Sequence, residues 1–320
     1  MNLRVFRLAA ALVPLVVASG APRWQETSPA SRPAQQPGAR ISDQTYRVSV
    51  DLVNVFCSVW DRNSNAFITT LTRDDFAIYE DNKKQEISNF SRETNLPLTV
   101  ALLIDTSQSV APKLKFEQQA ATNFFYSVLK DRDRAMLLEF DSGVTLVQDF
   151  TNDANKLAKQ IKTLRAAGGT ALYDALYLAC DEKLIREVGR KAVVILSDGE
   201  DMSSKATFDA ALEMALKAEA TIFAISVSRG GFFGVGQNKS GDRVLQQLAE
   251  ETGGRIFFPF KVEELEEAFQ QIGSELRSQY NLGYFSANTQ RDGTYRKIEV
   301  KLAEKGLRTR YRKGYYAPTH

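Results

Sequence analysis

Asp105, Ser107 and Ser109 stand at i, i+2 and i+4 directly after the apolar run Leu98-Thr99-Val100-Ala101-Leu102-Leu103-Ile104. In an extended or tightly turning segment this spacing can aim one carboxylate and two hydroxyls at a single point. Oxygen-only ligands suit a hard divalent cation, Mg²⁺ first, with Mn²⁺ or Ca²⁺ as alternatives. The short string is weak evidence alone, and two further segments strengthen it. Gly168-Gly169-Thr170 opens a helical pattern, and Ser197-Asp198-Gly199 closes a second apolar run, Ala192-Val193-Val194-Ile195-Leu196. Each places a hydroxyl or carboxylate at an element end, where the loops of an open α/β sheet converge. The candidate metal set is therefore Asp105, Ser107, Ser109, Thr170 and Asp198. Helix capping by Asp105 and Ser107 is the competing account, but capping has no use for Thr170 or Asp198.

The elements that must hold these residues alternate between strand and helix over residues 96–280. Strands are expected at 98–104, 135–140, 144–148, 192–197, 221–227 and 255–258. Asp141-Ser142-Gly143 reads as a hairpin turn that adds one antiparallel strand. The expected fold is a doubly wound, mostly parallel, six-stranded α/β sheet. Its last helix, 262–278, carries Val262, Leu265, Phe269, Ile272 and Leu276 on one face. On both sides lie strand patterns. Val48, Val50 and Leu52 alternate, then Val53, Val55, Cys57 and Val59 alternate in the opposite phase, as a β-bulge produces. Phe76–Tyr79 and Ile87–Phe90 follow, joined by the polar turn Glu80-Asp81-Asn82-Lys83. Strand patterns return at 280–285, 297–302 and 308–316. Each flank is too small to bury a core. Residues 45–95 and 281–318 are expected to complete one β-sandwich, with two separate hairpins as the alternative.

Residues 1–20 carry Arg4 and Arg7 ahead of the apolar run Leu8 to Val17, then Ala18-Ser19-Gly20. This reads as a secretory signal peptide, too short for a membrane span. Residues 21–44, with four prolines among polar and small residues, read as a disordered linker. The expected location is periplasmic or secreted, with no membrane span in the mature chain. The chain has 41 basic and 39 acidic residues, and loss of Arg4 and Arg7 brings the counts level. That balance argues against nucleic acid as a partner. Cys57 and Cys180 are the only cysteines and read as buried small hydrophobes. The single histidine is His320, so no catalytic triad or His-rich zinc site can form in the body. No catalytic residue is assigned.

Together these motifs resemble the metal-ion-dependent adhesion site of a von Willebrand factor type A domain, over roughly residues 95–280. The flanks resemble those of bacterial exported proteins with this domain, notably the acidobacterial VWFA-related group. In that group a stretch like Asp74-Asp75-Phe76-Ala77-Ile78-Tyr79-Glu80-Asp81 precedes the domain. The resemblance implies that Ser107, Ser109 and Thr170 contact Mg²⁺ while Asp105 and Asp198 hold it through water or the hydroxyls. It also implies a protein ligand that presents an Asp or Glu. Val110-Ala111-Pro112 departs from integrin β chains, whose second cation site has an acidic pair there. Phe232 and Phe233, among the glycines of 230–236, are candidates for an apolar rim beside the metal. Two rival functions stand beside this one. One is a Mg²⁺-dependent Rossmann-like hydrolase or phosphotransferase with Asp105 as nucleophile. The other is a structural subunit of an envelope assembly.

Overall fold

In chain order the elements begin with β1 (Leu52–Asp61), β2 (Phe76–Glu80), β3 (Lys83–Gln85) and β4 (Ile87–Arg92). Next come β5 (Leu98–Asp105), α1 (Leu114–Val128), β6 (Arg134–Phe140), β7 (Val144–Thr151), α2 (Ala154–Ile161) and α3 (Leu172–Leu178). They continue with β8 (Arg190–Ser197), α4 (Phe208–Lys217), β9 (Ala220–Ser226), α5 (Lys239–Thr252), β10 (Ile256–Phe257) and α6 (Val262–Arg277). Finally β11 (Gln279–Phe285), β12 (Tyr295–Leu302), β13 (Leu307–Tyr311) and β14 (Gly314–Tyr316) close the chain. This computed structural model describes residues 52–92, 96–227 and 239–319. The signal-like segment, the 21–44 linker, Val48 and Val50, the Val262 side chain, and Phe232 and Phe233 lie outside the described residues.

The central sheet has six strands in the order β10-β9-β8-β5-β6-β7, and β7 alone runs antiparallel, against β6. Every residue of β5 is buried, as a strand covered by helices on both faces requires. Side chains alternate along it. Val100, Leu102 and Ile104 pack with Phe124 and Phe125 of α1 and Phe269 and Ile272 of α6. Ala101 and Leu103 pack with Leu172 and Leu176 of α3, Ala211 and Ala215 of α4, and Leu245 and Leu248 of α5. The sheet is thus doubly wound. Because β5, β6, β8 and β9 are parallel, the segments that follow β5 and β8 leave the same edge.

The flanks form two four-stranded sheets, ordered β13-β1-β11-β4 and β14-β12-β2-β3. Each contains strands from both sides of the α/β block. Their facing surfaces share one core, including Val55, Cys57 and Val59 of β1, Ile78 of β2, Leu282 and Tyr284 of β11, and Ile298 of β12. Two local expectations need correction. The 76–79 and 87–90 segments do not pair: a tight turn at Asp81 and Asn82, both at positive φ, brings the extra strand β3 against β2. The next strand, β4, then crosses to the other sheet beside β11. Likewise 308–316 is not one strand. It breaks after Tyr311, and β14 joins β12 in the opposite sheet. A sheet change preserves local alternation, so residue patterning alone does not mark it. The two cysteines are free and buried, and burial pushes both thiols up to about 12.

Candidate metal centre

Asp105 is the last residue of β5 and is fully buried. Its Oδ1 accepts the Ser107 N–H at 2.8 Å. Its Oδ2 accepts the Ser197 hydroxyl, at the end of neighbouring β8, at 2.7 Å. Burial nevertheless pushes this carboxyl up to about 6, against the lowering pull of those hydrogen bonds. From there a chain of oxygens runs outward. The Ser107 and Ser109 hydroxyls are 3.0 Å apart, and Ser109 Oγ donates to Asp198 Oδ2 at 2.9 Å. Asp198 Oδ1 in turn accepts the Glu200 N–H at 3.1 Å. Ser107 leads a short 3-10 turn but makes no side-chain cap bond, so the capping account fails on geometry.

Gly199 is what lets Asp198 turn back toward Ser109. Its φ of +77° falls in the left-handed region, and a Cβ there would overlap the Gly241 carbonyl. The third segment enters through its backbone. Gln108 N–H donates to Gly168 O at 3.3 Å, and Ala167 N–H to Thr106 O at 2.7 Å. Thr170, itself buried, accepts the Met202 and Ser203 N–H groups on its carbonyl, each at 2.9 Å. Ser107, Ser109 and Asp198 are joined through their side chains, Asp105 enters through the Ser107 N–H, and Thr170 is fixed beside them by its loop.

Residues that sequence reasoning passed over complete the surroundings. Ser197 orients Asp105, and Ser142 of the hairpin turn accepts the Gly169 N–H at 2.7 Å. Asp201 accepts the Tyr173 N–H at 3.0 Å and the Ser204 hydroxyl at 2.6 Å. It clasps the start of α3 instead of facing solvent. Asp174 holds the Lys205 and Ala206 N–H groups in the same way. Glu117, in the first turn of α1, is buried with neither carboxylate oxygen hydrogen-bonded among the described residues. Burial, then the nearby Asp105 charge, holds it well above the usual glutamate range. Lys113 beside it donates to Val227 O, and burial draws its ammonium below its ordinary range. Met202 is 79% exposed on the rim next to Thr170. An isolated Glu at helix spacing gives no sequence sign of burial, which explains why Glu117 was missed.

The donor set fits a small hard cation. Adjacent ligands of an octahedral Mg²⁺ with bonds of about 2.1 Å lie about 3.0 Å apart. The Ser107–Ser109 hydroxyl separation of 3.0 Å matches that edge, and Asp198 lies behind Ser109, hydrogen-bonded to it at 2.9 Å. No set of three His, Cys, Asp or Glu side chains able to hold a metal occurs among the described residues, so any cation here depends on the hydroxyls.

Among solved structures, the chain is similar to an aerotolerance-related membrane protein from Bacteroides fragilis NCTC 9343. The two share 18% identity at a TM-score of 0.46, over 56% of this chain and 98% of that one. It is also similar to the vWF domain of the type V pili tip protein Mfa5 from Porphyromonas gingivalis (15% identity, TM-score 0.45, 56% of this chain and 94% of that one). A von Willebrand factor type A protein from Catenulispora acidiphila shares 14% identity at a TM-score of 0.47, over 76% of this chain and 62% of that one. No curated protein sequence matches. Residues 100–200, which hold all five members of the candidate metal set, match the family model described as von Willebrand factor type A domain.

Proposed function

We propose that this chain is an exported binding protein whose type A domain holds Mg²⁺ through Ser107, Ser109 and Thr170 and captures an acidic residue of a protein partner. The observation that carries this reading is the linked set Asp105–Ser107–Ser109–Asp198, drawn from the ends of two adjacent parallel strands. Neutral hydroxyls closest to a cation leave most of its charge uncompensated, while Asp105 and Asp198 behind them retain it. When bound, the cation supplies a coordination position that an incoming carboxylate oxygen can take. Asp105 orients Ser107 and is itself fixed by Ser197, so the hydroxyls are arranged before any ligand arrives. Met202 offers an apolar contact at the rim.

A nucleophilic role for Asp105 fits poorly. Both its oxygens are engaged and it has no exposure, whereas a nucleophile must reach its substrate. Export rests on the signal-like residues 1–20. Among the described residues no helix is long and apolar enough to cross a membrane.

Calorimetric titration with Mg²⁺, and capture from envelope extracts with Mg²⁺ or with a chelator, test the proposal. Saturable Mg²⁺ binding that Asp105→Ala weakens, with capture lost in chelator, is the expected result. Unchanged Mg²⁺ affinity in Asp105→Ala overturns the site. Chelator-insensitive capture favours the structural-subunit reading.

A further inference from the structure

A cavity of about 500 Å³ lies where α6 faces the outer surface of the first sandwich sheet. Trp60, Phe67, Arg255, Gln271, Ser274 and Arg310 contribute to its lining. Strand alternation explains the wall. Cys57 and Val59 of β1 point into the sandwich core, so Trp60 points out, on the same face as Arg310 of the paired strand β13. The volume is typical of small-molecule sites.

Its charge is unbalanced. Glu275 of α6 is fully buried, accepts from Arg310, and lies 3.0 Å from Arg255 Nε. Two guanidiniums therefore share one carboxylate, leaving one net positive charge on a partly desolvated wall. Both are also held in place by their neighbours. Arg310 stacks over Trp60 at 4.5 Å, Arg255 over Phe257 at 4.2 Å, and Arg255 Nη2 donates to Gln271 at 3.1 Å. A planar fork fixed in this way matches a carboxylate, and the Trp60 and Phe67 rings supply an apolar surface beside it.

We propose that this cavity binds a small organic carboxylate with an aromatic or branched apolar body. The carboxylate meets the N–H groups of Arg255 and Arg310 that are not engaged by Glu275 and Gln271, on the cavity side of the Glu275 carboxylate, and the body lies against Trp60 and Phe67. A cation is repelled, and a multiply charged anion brings excess negative charge toward Glu275. The site is separate from the candidate metal centre. Arg255 precedes β10, whereas the metal loops follow β5 and β8, so the two lie at opposite edges of a parallel sheet.

Trp24 and Trp60 are the two tryptophans of the chain, so in a full chain carrying Trp24→Phe the indole emission reports on Trp60 alone. Titration with 3-phenylpropionate is expected to change that emission saturably, to the same extent with Mg²⁺ or with a chelator. Phenethylamine, of similar shape and opposite charge, gives no saturation. Arg310→Lys keeps a charge against Glu275 but loses the fork, and weakens 3-phenylpropionate by about tenfold or more. Phe67→Ser weakens it independently, with thermal midpoints confirming that both variants fold. No saturable response at millimolar 3-phenylpropionate, or parental affinity in both folded variants, overturns the proposal.

Discussion

Asp105 and Glu117 are two buried carboxyls near one another, and their protonation follows from where the chain puts them. Both are harder to ionise in the folded chain than in the unfolded one, because burial raises Asp105 to about 6 and Glu117 well above its ordinary range. Between the unfolded value, about 4, and the raised value, the folded state binds more protons. Stability from the protonated groups is full below the unfolded value and is lost as pH rises through the folded one. In the absence of divalent cations, Glu117→Gln is therefore expected to gain stability relative to the parent as pH rises. Urea unfolding of both proteins across the neutral range checks this, and a constant difference refutes the buried, protonated assignment. At the same scale, Ser107→Ala and Thr170→Ala are expected to weaken Mg²⁺ by calorimetry while leaving the far-ultraviolet spectrum intact. Their oxygens serve a loop end and not the packed core.

The loops that carry the site depend on backbone that few residues can adopt. Gly199→Ala forces a Cβ into the Gly241 carbonyl at a φ of +77°, a strain on the order of 1–3 kcal/mol. The loop is expected to shift Asp198 away from Ser109, so Mg²⁺ affinity falls together with the thermal midpoint. In the sandwich, Glu80 at the end of β2 plays the comparable part. It accepts the Tyr284 hydroxyl at 2.8 Å, the Tyr315 hydroxyl at 2.9 Å and the Ser286 hydroxyl at 2.6 Å, with Arg296 3.7 Å away. These contacts join β2 to β11 and β14, which lie in different sheets or come from opposite ends of the chain. Glu80→Ala leaves Arg296 buried without its carboxylate and is expected to cost about 3–5 kcal/mol in chemical denaturation. A loss under 1 kcal/mol, roughly the value of an exposed pair, would show that the hub is solvated.

At the level of the whole molecule, β1 lies between β13 and β11, and β2 between β12 and β3. Removing residues 52–92 takes away β1 to β4, uncovering an edge of β13, both edges of β11 and an edge of β12, together with half of a shared core. A chain beginning at Leu96 is expected to aggregate, while adding back the 52–92 peptide partly restores solubility. Light scattering reads both outcomes. The joint between the α/β domain and the sandwich is tied by buried polar contacts. Arg312 reaches Asn54 O at 2.6 Å and Glu219 at 3.1 Å, while inside the α/β domain Arg190 anchors the end of α6 and the start of the domain through Leu276 O and Leu96 O. Lys313 N–H donates to Glu251 O at 2.9 Å. Helix α6 ends at Arg277 and only Ser278 separates it from β11, so the connection is short as well as bonded. A paired-label distance between the two parts is expected to stay single and narrow when Mg²⁺ is added.

Residue order alone determined the alternation of apolar runs and helical faces between 96 and 280, and with it the doubly wound sheet. It also placed Asp105 and Asp198 at strand ends, because buried parallel strands read as continuous apolar runs and stop at polar residues, and Thr170 ahead of a helical pattern. The pairing of sheets was decided only in three dimensions. Whether Ile87–Arg92 lies beside β2 or beside β11 depends on partners nearly 200 residues away, and alternation is the same in either sheet. Burial of isolated polar side chains was decided there too. Glu117, Glu275 and Glu80 carry no local mark that distinguishes them from solvated glutamates, since their surroundings come from distant segments. The metal set spans both cases: its residue types were legible in the sequence and the 3.0 Å Ser107–Ser109 separation is local, but the 2.9 Å contact of Ser109 with Asp198 exists because β5 and β8 are adjacent and parallel.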